Sequence, residues 1–319
     1  MVNSVSMEGS RPAGPVRPAA ASALLLVHNE SLQIDRCLES LARCVDDVHV
    51  VDSGSSDDTV QRARQYTQHV HYHPYVDHAS QLAWAFQHVP FKHEWLVVVD
   101  ADHVVTPELA RAISDAVQRN DPDYDAYYAR HRYYFDGHPI RGFKPWSLRL
   151  MRRGRVTIDA SEMVDYRMIF RQANVGYLAA SIVEDNLNER DLGFWKDKHR
   201  KFSSRLAVEQ LLRSSGRLQW SIRPSLLGNH DQRIVWLKQR WLVLPLFLRP
   251  VLYFLYRYFF RLGILDGRAG LRYHVLHALW FRWLVDANIR DLRRQLRRGE
   301  CSLDDLVARF SRPAAERAA

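Results

Sequence analysis

The sequence predicts an α/β fold, a mixed sheet with a parallel core flanked by helices, followed by a basic helical region. Three observations predict it. Short β-branched apolar runs alternate with amphipathic segments over the first 125 or so residues. Three of those runs end in clusters of polar side chains. From Ala126 the pattern changes to alternating aromatic and basic residues, as in the strands of a mixed sheet.

The elements follow in order. "ALLLVHNE" (Ala23–Glu30) is a buried strand ending on His28, Asn29 and Glu30. Ile34, Cys37, Leu38, Leu41 and Val45 then recur at helical spacing. Val48–Val51 is a second strand running into Asp52, Ser53, Gly54 and Ser55, and Asp57 or Asp58 caps the next helix. "VHYHP" is a third short strand, and His78–His88 a third helix with Ala79, Leu82, Ala83 and Phe86 on one face. The histidines at 69, 71, 73, 78 and 88 fall on these two elements, away from the loop ends, and are expected to pack or face solvent.

"WLVVVDADHVV" (Trp95–Val105) carries the main chemical signal. Val97, Val98 and Val99 read as a strand buried on both faces, yet the strand stops at Asp100 and Asp102. The pair either caps the next helix or holds a divalent metal, since paired hard oxygens suit Mg²⁺ or Mn²⁺. Thr106 and Pro107 already supply a good N-cap and first helical residue. In parallel α/β sheets ligands bind beyond the carboxyl ends of the strands, and three polar clusters lie at such ends. That coincidence favours the metal. Neither GxGxxG nor GxxxxGK[ST] follows the first strand, so a dinucleotide fold and a P-loop are unsupported.

Further along, "YYARHRYYFDG" and "IRGFKPWSLRLMRRGRV" are strand-like. "DLGFWKDKHRKFSSRLAVEQLL" is a helix on which Phe194, Trp195, His199, Phe202 and Leu206 share a face. Cys37, Cys44 and Cys301 make no disulfide framework; seven positions along a helix is roughly 10 Å, too far for a bridge. A reducing, cytosolic setting is expected.

The net charge of +9 is concentrated. Between Trp236 and Glu300 thirteen Lys and Arg face four acids, an excess equal to that of the whole chain. The neutral remainder argues against a broad nucleic-acid surface. In "WLVLPLFLRPVLYFLYRYFFRLG" no uncharged run reaches the ~18 residues of a spanning helix. Arg257 and Arg261 sit on one face there, with Leu252, Leu255, Tyr256 and Phe259 on the other. In a second helix, His274–Leu296, Arg282, Asp286, Arg290 and Arg293 oppose Leu276, Leu279, Trp280 and Trp283. Basic amphipathic helices of this kind suit anionic headgroups, and packing onto the preceding domain is the alternative.

The order "HNE", "VVDSGSSDDT", "WLVVVDAD" resembles family 2 glycosyltransferases of the GT-A fold, over about Ala23–Leu212. "RLMRRG", "DLGFWKDKHRKFS" and the aromatic C-terminal run resemble a bacterial membrane-associated branch that builds lipopolysaccharide or exopolysaccharide. The first 21 residues, rich in Pro, Ala and Gly, read as a disordered lead-in (1–21), and the end as a tail (301–319). The resemblance implies a nucleotide-sugar-binding half (22–125) and an acceptor-binding half (126–232), ahead of the basic amphipathic, membrane-associating helices (233–300). It implies an inverting transfer from a nucleotide-sugar, a UDP-sugar by prior, to a lipid-linked or cell-envelope glycan at the cytoplasmic face of the inner membrane. Asp102 would be the direct ligand of Mg²⁺ or Mn²⁺. Asn29, Glu30, Asp52, Gly54 and Asp100 would bind the nucleotide. Lys144, Trp146 and Arg149 would contact acceptor or phosphate, a cross-strand ion pair being the other reading of Arg149. The general base is expected to be a carboxylate beyond the middle of the domain, with Glu162 and Asp165 preferred over Glu184 and Asp185. Many relatives carry an acid where this chain has His103. Two other classes are weighed: a sugar-phosphate nucleotidyltransferase, whose N-terminal phosphate loop is missing here, and a non-enzymatic basic membrane module.

Overall fold

A computed structural model describes residues 17–159, 167–170 and 174–311. The chain alternates as the apolar periodicity requires: β1 (Ala19–Val27), α1 (Ile34–Ala42), β2 (Val45–Asp52), α2 (Thr59–Ala63), β3 (Val70–Tyr72), α3 (His78–His88) and β4 (Trp95–Asp100). β3, β2, β1 and β4 lie side by side and all run parallel. β1 begins at Ala19, so residues 19–21 belong to the sheet and not to a disordered lead-in; Ala19 pairs with Val45, and Ala21 is fully buried. Their small side chains read as linker by composition, but they fill the layer between sheet and helices.

β5 (His103–Val105) and α4 (Pro107–Arg119) follow β4. Thr106 caps α4 through its side chain, which accepts from the Leu109 N–H, and Pro107 opens the first turn. The second half supplies β6 (Ala126–Phe135), β7 (His138–Pro139), β8 (Trp146–Arg152), the hairpin β9 (Val156–Asp159) and β10 (Arg167–Phe170), and β11 (Val175–Glu184). The main sheet has nine strands in the order β3-β2-β1-β4-β8-β6-β11-β5, with β7 beside β6.

This order forces a curl. β5 hydrogen-bonds at the far edge, four strand spacings from β4, roughly 19 Å if the sheet were flat. Only Ala101 and Asp102 separate β4 from β5 in the chain, a link that spans about 11 Å at most. The sheet must therefore close back on itself, and the end of β11 arrives beside the turn after β4. Glu184 pairs with His103 in register, and the Asp185 N–H donates to the Asp102 carbonyl at 3.0 Å.

The remainder is helical: α5 (Leu192–Ser214), α6 (His230–Val243), α7 (Leu248–Leu255), a π-helical continuation (Tyr256–Phe260), a 3₁₀ turn (Gly263–Asp266), α8 (Gly267–Tyr273), a second π segment (His274–Trp280), α9 (Phe281–Arg298) and α10 (Leu303–Ser311). α5 packs on α9 through Ala207, Phe281, Val285 and Ile289. Trp195 and His199 face inward as expected, whereas Phe194 is exposed.

The C-terminal helices meet the expectation only in part: Arg261, Arg290 and Arg293 are exposed, but the segment around α7 is turned the other way. Arg257, expected on a solvated basic face, is 2% exposed and lies 4.1 Å from the Phe143 ring centroid. Arg249 is buried on Asp286, itself fully buried. The apolar side is turned outward instead, with Phe260 79% and Leu265 63% exposed. The reason is that an arginine surrounded by Phe143, Tyr253 and Tyr273 rings, or paired with a buried aspartate, loses less on burial than charge patterning assumes. Among the described residues no helix is long and apolar enough to cross a membrane.

Candidate active site

The site lies at the carboxyl ends of β1, β2, β4 and β11. Asn29, in left-handed backbone conformation at φ 57°, ties the first two loops together. Its N–H donates to Ser55 Oγ at 2.9 Å, and its Oδ1 accepts from the Ser56 N–H at 2.8 Å. Glu30 is held from behind by Thr59, whose Oγ1 accepts its N–H at 2.7 Å. Its carboxylate accepts from Gln33 and, at 3.4 Å, from Asn188. Burial, together with nearby Asp102 and Asp100, raises the Glu30 pKa to about 7.

Asp52 turns inward. Both its oxygens serve its own loop, accepting from the Gly54 N–H at 2.9 Å and from the Ser55 N–H and hydroxyl. Gly54, at φ 92°, takes a conformation that a side chain would strain. The loop thus presents Gly54 and Tyr72 outward, Tyr72 Cε2 being 3.7 Å from where a Cβ on Gly54 would stand.

The two strand-end aspartates differ in state. Asp100 is pushed up by burial, but His103 and Arg149 beside it outweigh this and hold it below the usual carboxylate range. Asp102 is raised to about 6 by burial, with Glu184 and Asp100 adding to the effect against His103. Since Thr106 caps α4, neither aspartate is needed for that purpose. Asn186 Nδ2 donates to Asp102 Oδ2 at 3.0 Å and fixes its rotamer. His103, buried, accepts the Asp100 N–H on Nδ1 at 2.8 Å. Its proton is therefore on Nε2, which faces Asp102 at 3.8 Å and Glu184 at 3.9 Å.

Glu184 completes the cluster from across the curl. Its carboxylate is bonded to His131 Nδ1. Burial would raise it, yet the His103 and His131 contacts keep it ionised well below the usual range. Its neighbour Asp185 points elsewhere, to Arg36 at 2.9 Å and Arg190 at 3.3 Å.

Several sequence-predicted residues stand otherwise. Arg149, read as a phosphate contact, is buried and engaged: Nη1 donates to the Val98 carbonyl at 3.1 Å, Nε to Ser147 Oγ at 2.9 Å, and Asp100 lies at 3.6 Å. It is the ion-pair partner of the other reading, because β8 lies next to β4 and aims it beneath the aspartates. Trp146 packs on Tyr177 at 4.9 Å and under Arg130 at 4.5 Å, and Lys144 is exposed. Glu162 and Asp165 lie outside the described residues. Sequence reasoning missed His131, Asn186 and Lys198. Lys198 donates to Glu189 Oε1 at 2.8 Å and lies near enough to Asp102 and Glu30 for their charges, against burial, to raise its pKa.

Among the described residues two groups of side chains have the geometry to share an ion, Asp100/Asp102/His103 and His103/His131/Glu184. The first fits a hard divalent cation: two carboxylates supply oxygens, and Asp102 is raised by burial first, with Glu184 and Asp100 adding to it. In the second, both ring nitrogens of His131 and one oxygen of Glu184 are already engaged in hydrogen bonds.

Residues 22–175 match the family described as Glycosyl transferase family 2. This segment is similar to family 2 glycosyltransferase domains. The lipopolysaccharide core biosynthesis glycosyltransferase LpsC of Rhizobium meliloti (strain 1021) is 30% identical over 166 residues, 49% of this chain and 58% of that protein. An uncharacterized glycosyltransferase of Rickettsia felis is 34% identical over 107 residues, 33% of this chain and 37% of its own. The chain thus spans somewhat over half the length of the first and about a third of the second. Among solved structures, mannosyl-3-phosphoglycerate synthase from Rubrobacter xylanophilus is 16% identical at a TM-score of 0.42, covering 65% of this chain and 78% of that one. Glucosyl-3-phosphoglycerate synthase from Mycobacterium tuberculosis, in complex with Mn²⁺, UDP and glucosyl-3-phosphoglycerate, is 16% identical at a TM-score of 0.39, covering 59% and 80%.

Proposed function

We propose that this protein is an inverting, metal-assisted glycosyltransferase. It takes a sugar from a nucleotide-sugar donor, a UDP-sugar, and passes it to a lipid-linked or cell-envelope glycan at the cytoplasmic face of the inner membrane. The observation that carries the reading is the acid cluster at the strand ends: Asp100 and Asp102 from β4, Glu30 from β1 and Glu184 brought round by the curl of the sheet. The family 2 domain supports the reaction class, and the role named for LpsC supports an envelope glycan as acceptor.

Asp102 would hold Mg²⁺ or Mn²⁺, with Asp100 contacting it through water or meeting the ribose. When bound, such an ion neutralises the negative charge that builds on the departing diphosphate. Asn29, Glu30 and the Asp52–Gly54 loop bind the nucleoside side, Gly54 leaving its backbone open to a close approach. Glu184 is the acid we assign as general base among the described residues. It is ionised, in reach of the metal pair, and aligned by His131 and His103. The exposed apolar edge at the C-terminal helices supports attachment to the membrane surface that holds the acceptor.

Calorimetric titration of UDP and GDP, with and without Mn²⁺, tests this on wild type and Asp102→Ala. Manganese-dependent UDP binding that disappears in the variant is expected. Binding of neither nucleotide under any metal condition would refute the reading.

A further inference from the structure

The outer face of α5 holds a feature that the donor site does not use. Beside the face that packs on α9, Phe194, Asp197, Lys198, Lys201 and Arg205 line a cleft of about 270 Å³, with Phe202, which also packs toward α9, at its inner wall. That volume is near the small end of ligand pockets, about 300–1,000 Å³, and suits a single sugar with its substituent better than a whole glycan.

Its chemistry is lopsided. Three cations line it against one acid, and that acid, Asp197, is occupied by Arg200 at 2.7 Å. Among the described residues neither Lys201 nor Arg205 makes an ion pair. Phe194 is exposed to the cleft, and Lys198 Nζ stands 5.8 Å from the Phe202 ring centroid. Lys198 also joins the cleft to the acid cluster: it is bonded to Glu189 and within electrostatic reach of Asp102 and Glu30. A patch of cations alone would be an ordinary solvated helix face. Cations around a concavity walled by two aromatic rings, one of them at the edge of the acid cluster, form a recognition surface. Guanidinium and ammonium groups bind phosphate or carboxylate, and phenyl rings cover an apolar C–H face.

We propose that this cleft is the acceptor subsite for a glycan carrying an anionic substituent, a phosphate or carboxylate, on the sugar next to the one that is extended. Lys201 and Arg205 hold the anion, and Phe194 and Phe202 flank the ring. The proposal rests on the transferase reading above, and its test separates the two.

Glucose 6-phosphate and glucose are titrated by calorimetry into the full-length protein saturated with UDP and Mn²⁺, so that the donor site is already filled. Wild type should bind the phosphate at least about tenfold more tightly than glucose, the scale of one charge-assisted hydrogen bond. Lys201→Ala/Arg205→Ala should abolish that preference and leave UDP affinity unchanged. If UDP binds but wild type does not distinguish the two sugars, or the variant keeps the preference, the subsite is refuted while the transferase reading stands. A variant that instead loses retention on phosphatidylglycerol vesicles, with no sugar-phosphate preference in wild type, would make this a headgroup contact and refute it equally. Failure of UDP to bind wild type would remove the reading on which the subsite rests.

Discussion

Asp102 is a carboxylate that its own surroundings do not neutralise. Arg149 and His103 compensate Asp100, but Asp102 has Glu184 and Glu30 for company and an amide, Asn186, for a partner. Glu184 differs again, since His131 keeps it charged. Glu184→Gln preserves shape and hydrogen-bonding capacity while removing the proton acceptor. Its kcat should fall by about 10²–10⁴-fold with the donor KM within a few-fold of wild type, as steady-state kinetics would read. A kcat that survives would return the base to Glu162 or Asp165. The aspartate pair was legible because its members are neighbours in sequence and end an obvious strand. Glu184 could be named as a candidate but was ranked behind Glu162 and Asp165, because what brings it to Asp102 is a sheet that closes on itself. For Arg149 two readings stayed open for a related reason: alternation placed it on a strand, but not which strand lay beside it.

At the scale of elements, parallel strands and their helices followed from periodicity, α3 to the residue. The C-terminal helices were found, but the segment around α7 was turned the wrong way. Spacing puts Arg257 and Arg261 on one face, and charge suggests that this face is wet. Two of the rings around Arg257, Phe143 from the loop before β8 and Tyr273 from α8, come from other elements, which spacing within one helix cannot reveal. Arg249 anchors this arrangement. It reaches Asp286 on α9, Gln210 on α5 at 2.9 Å and the Trp241 carbonyl on α6 at 3.2 Å, tying three helices to α7. Arg249→Ala leaves Asp286 buried with a backbone N–H from Phe247 as its remaining bond. The variant should lose about 3–5 kcal/mol in urea unfolding, and Arg249→Ala/Asp286→Ala should recover part of that loss. Additive losses in the double variant would mean that the pair is not coupled.

For the whole molecule, the inversion around α7 changes what attachment to a membrane would feel like. A basic face binds anionic lipid through charges that salt screens over about 8 Å at physiological ionic strength. An apolar edge binds by removing hydrocarbon surface from water, which salt does not weaken. Here the side chains turned outward run from Leu248 through Phe259, Phe260, Leu262 and Ile264 to Leu265, with exposed Arg261, Arg268 and Arg272 at their margin. Fully burying a Phe or Leu is worth about 1.5–3 kcal/mol. Phe260→Ser/Leu265→Ser should therefore lower partitioning onto phosphatidylglycerol/phosphatidylcholine vesicles by at least about tenfold in co-sedimentation, without changing UDP affinity. Wild-type binding should persist in part at 1 M salt, by an order-of-magnitude reckoning in which only the arginine contribution is screened out. Complete release by salt, with the serine variant binding like wild type, would restore the basic face as the contact. Association of the protein with itself, relieved by the same two substitutions and without any vesicle binding, would make the edge an interface between copies. The salt series therefore decides between charge and hydrocarbon on the intact chain, the alternative that sequence patterning and the folded helices answer differently.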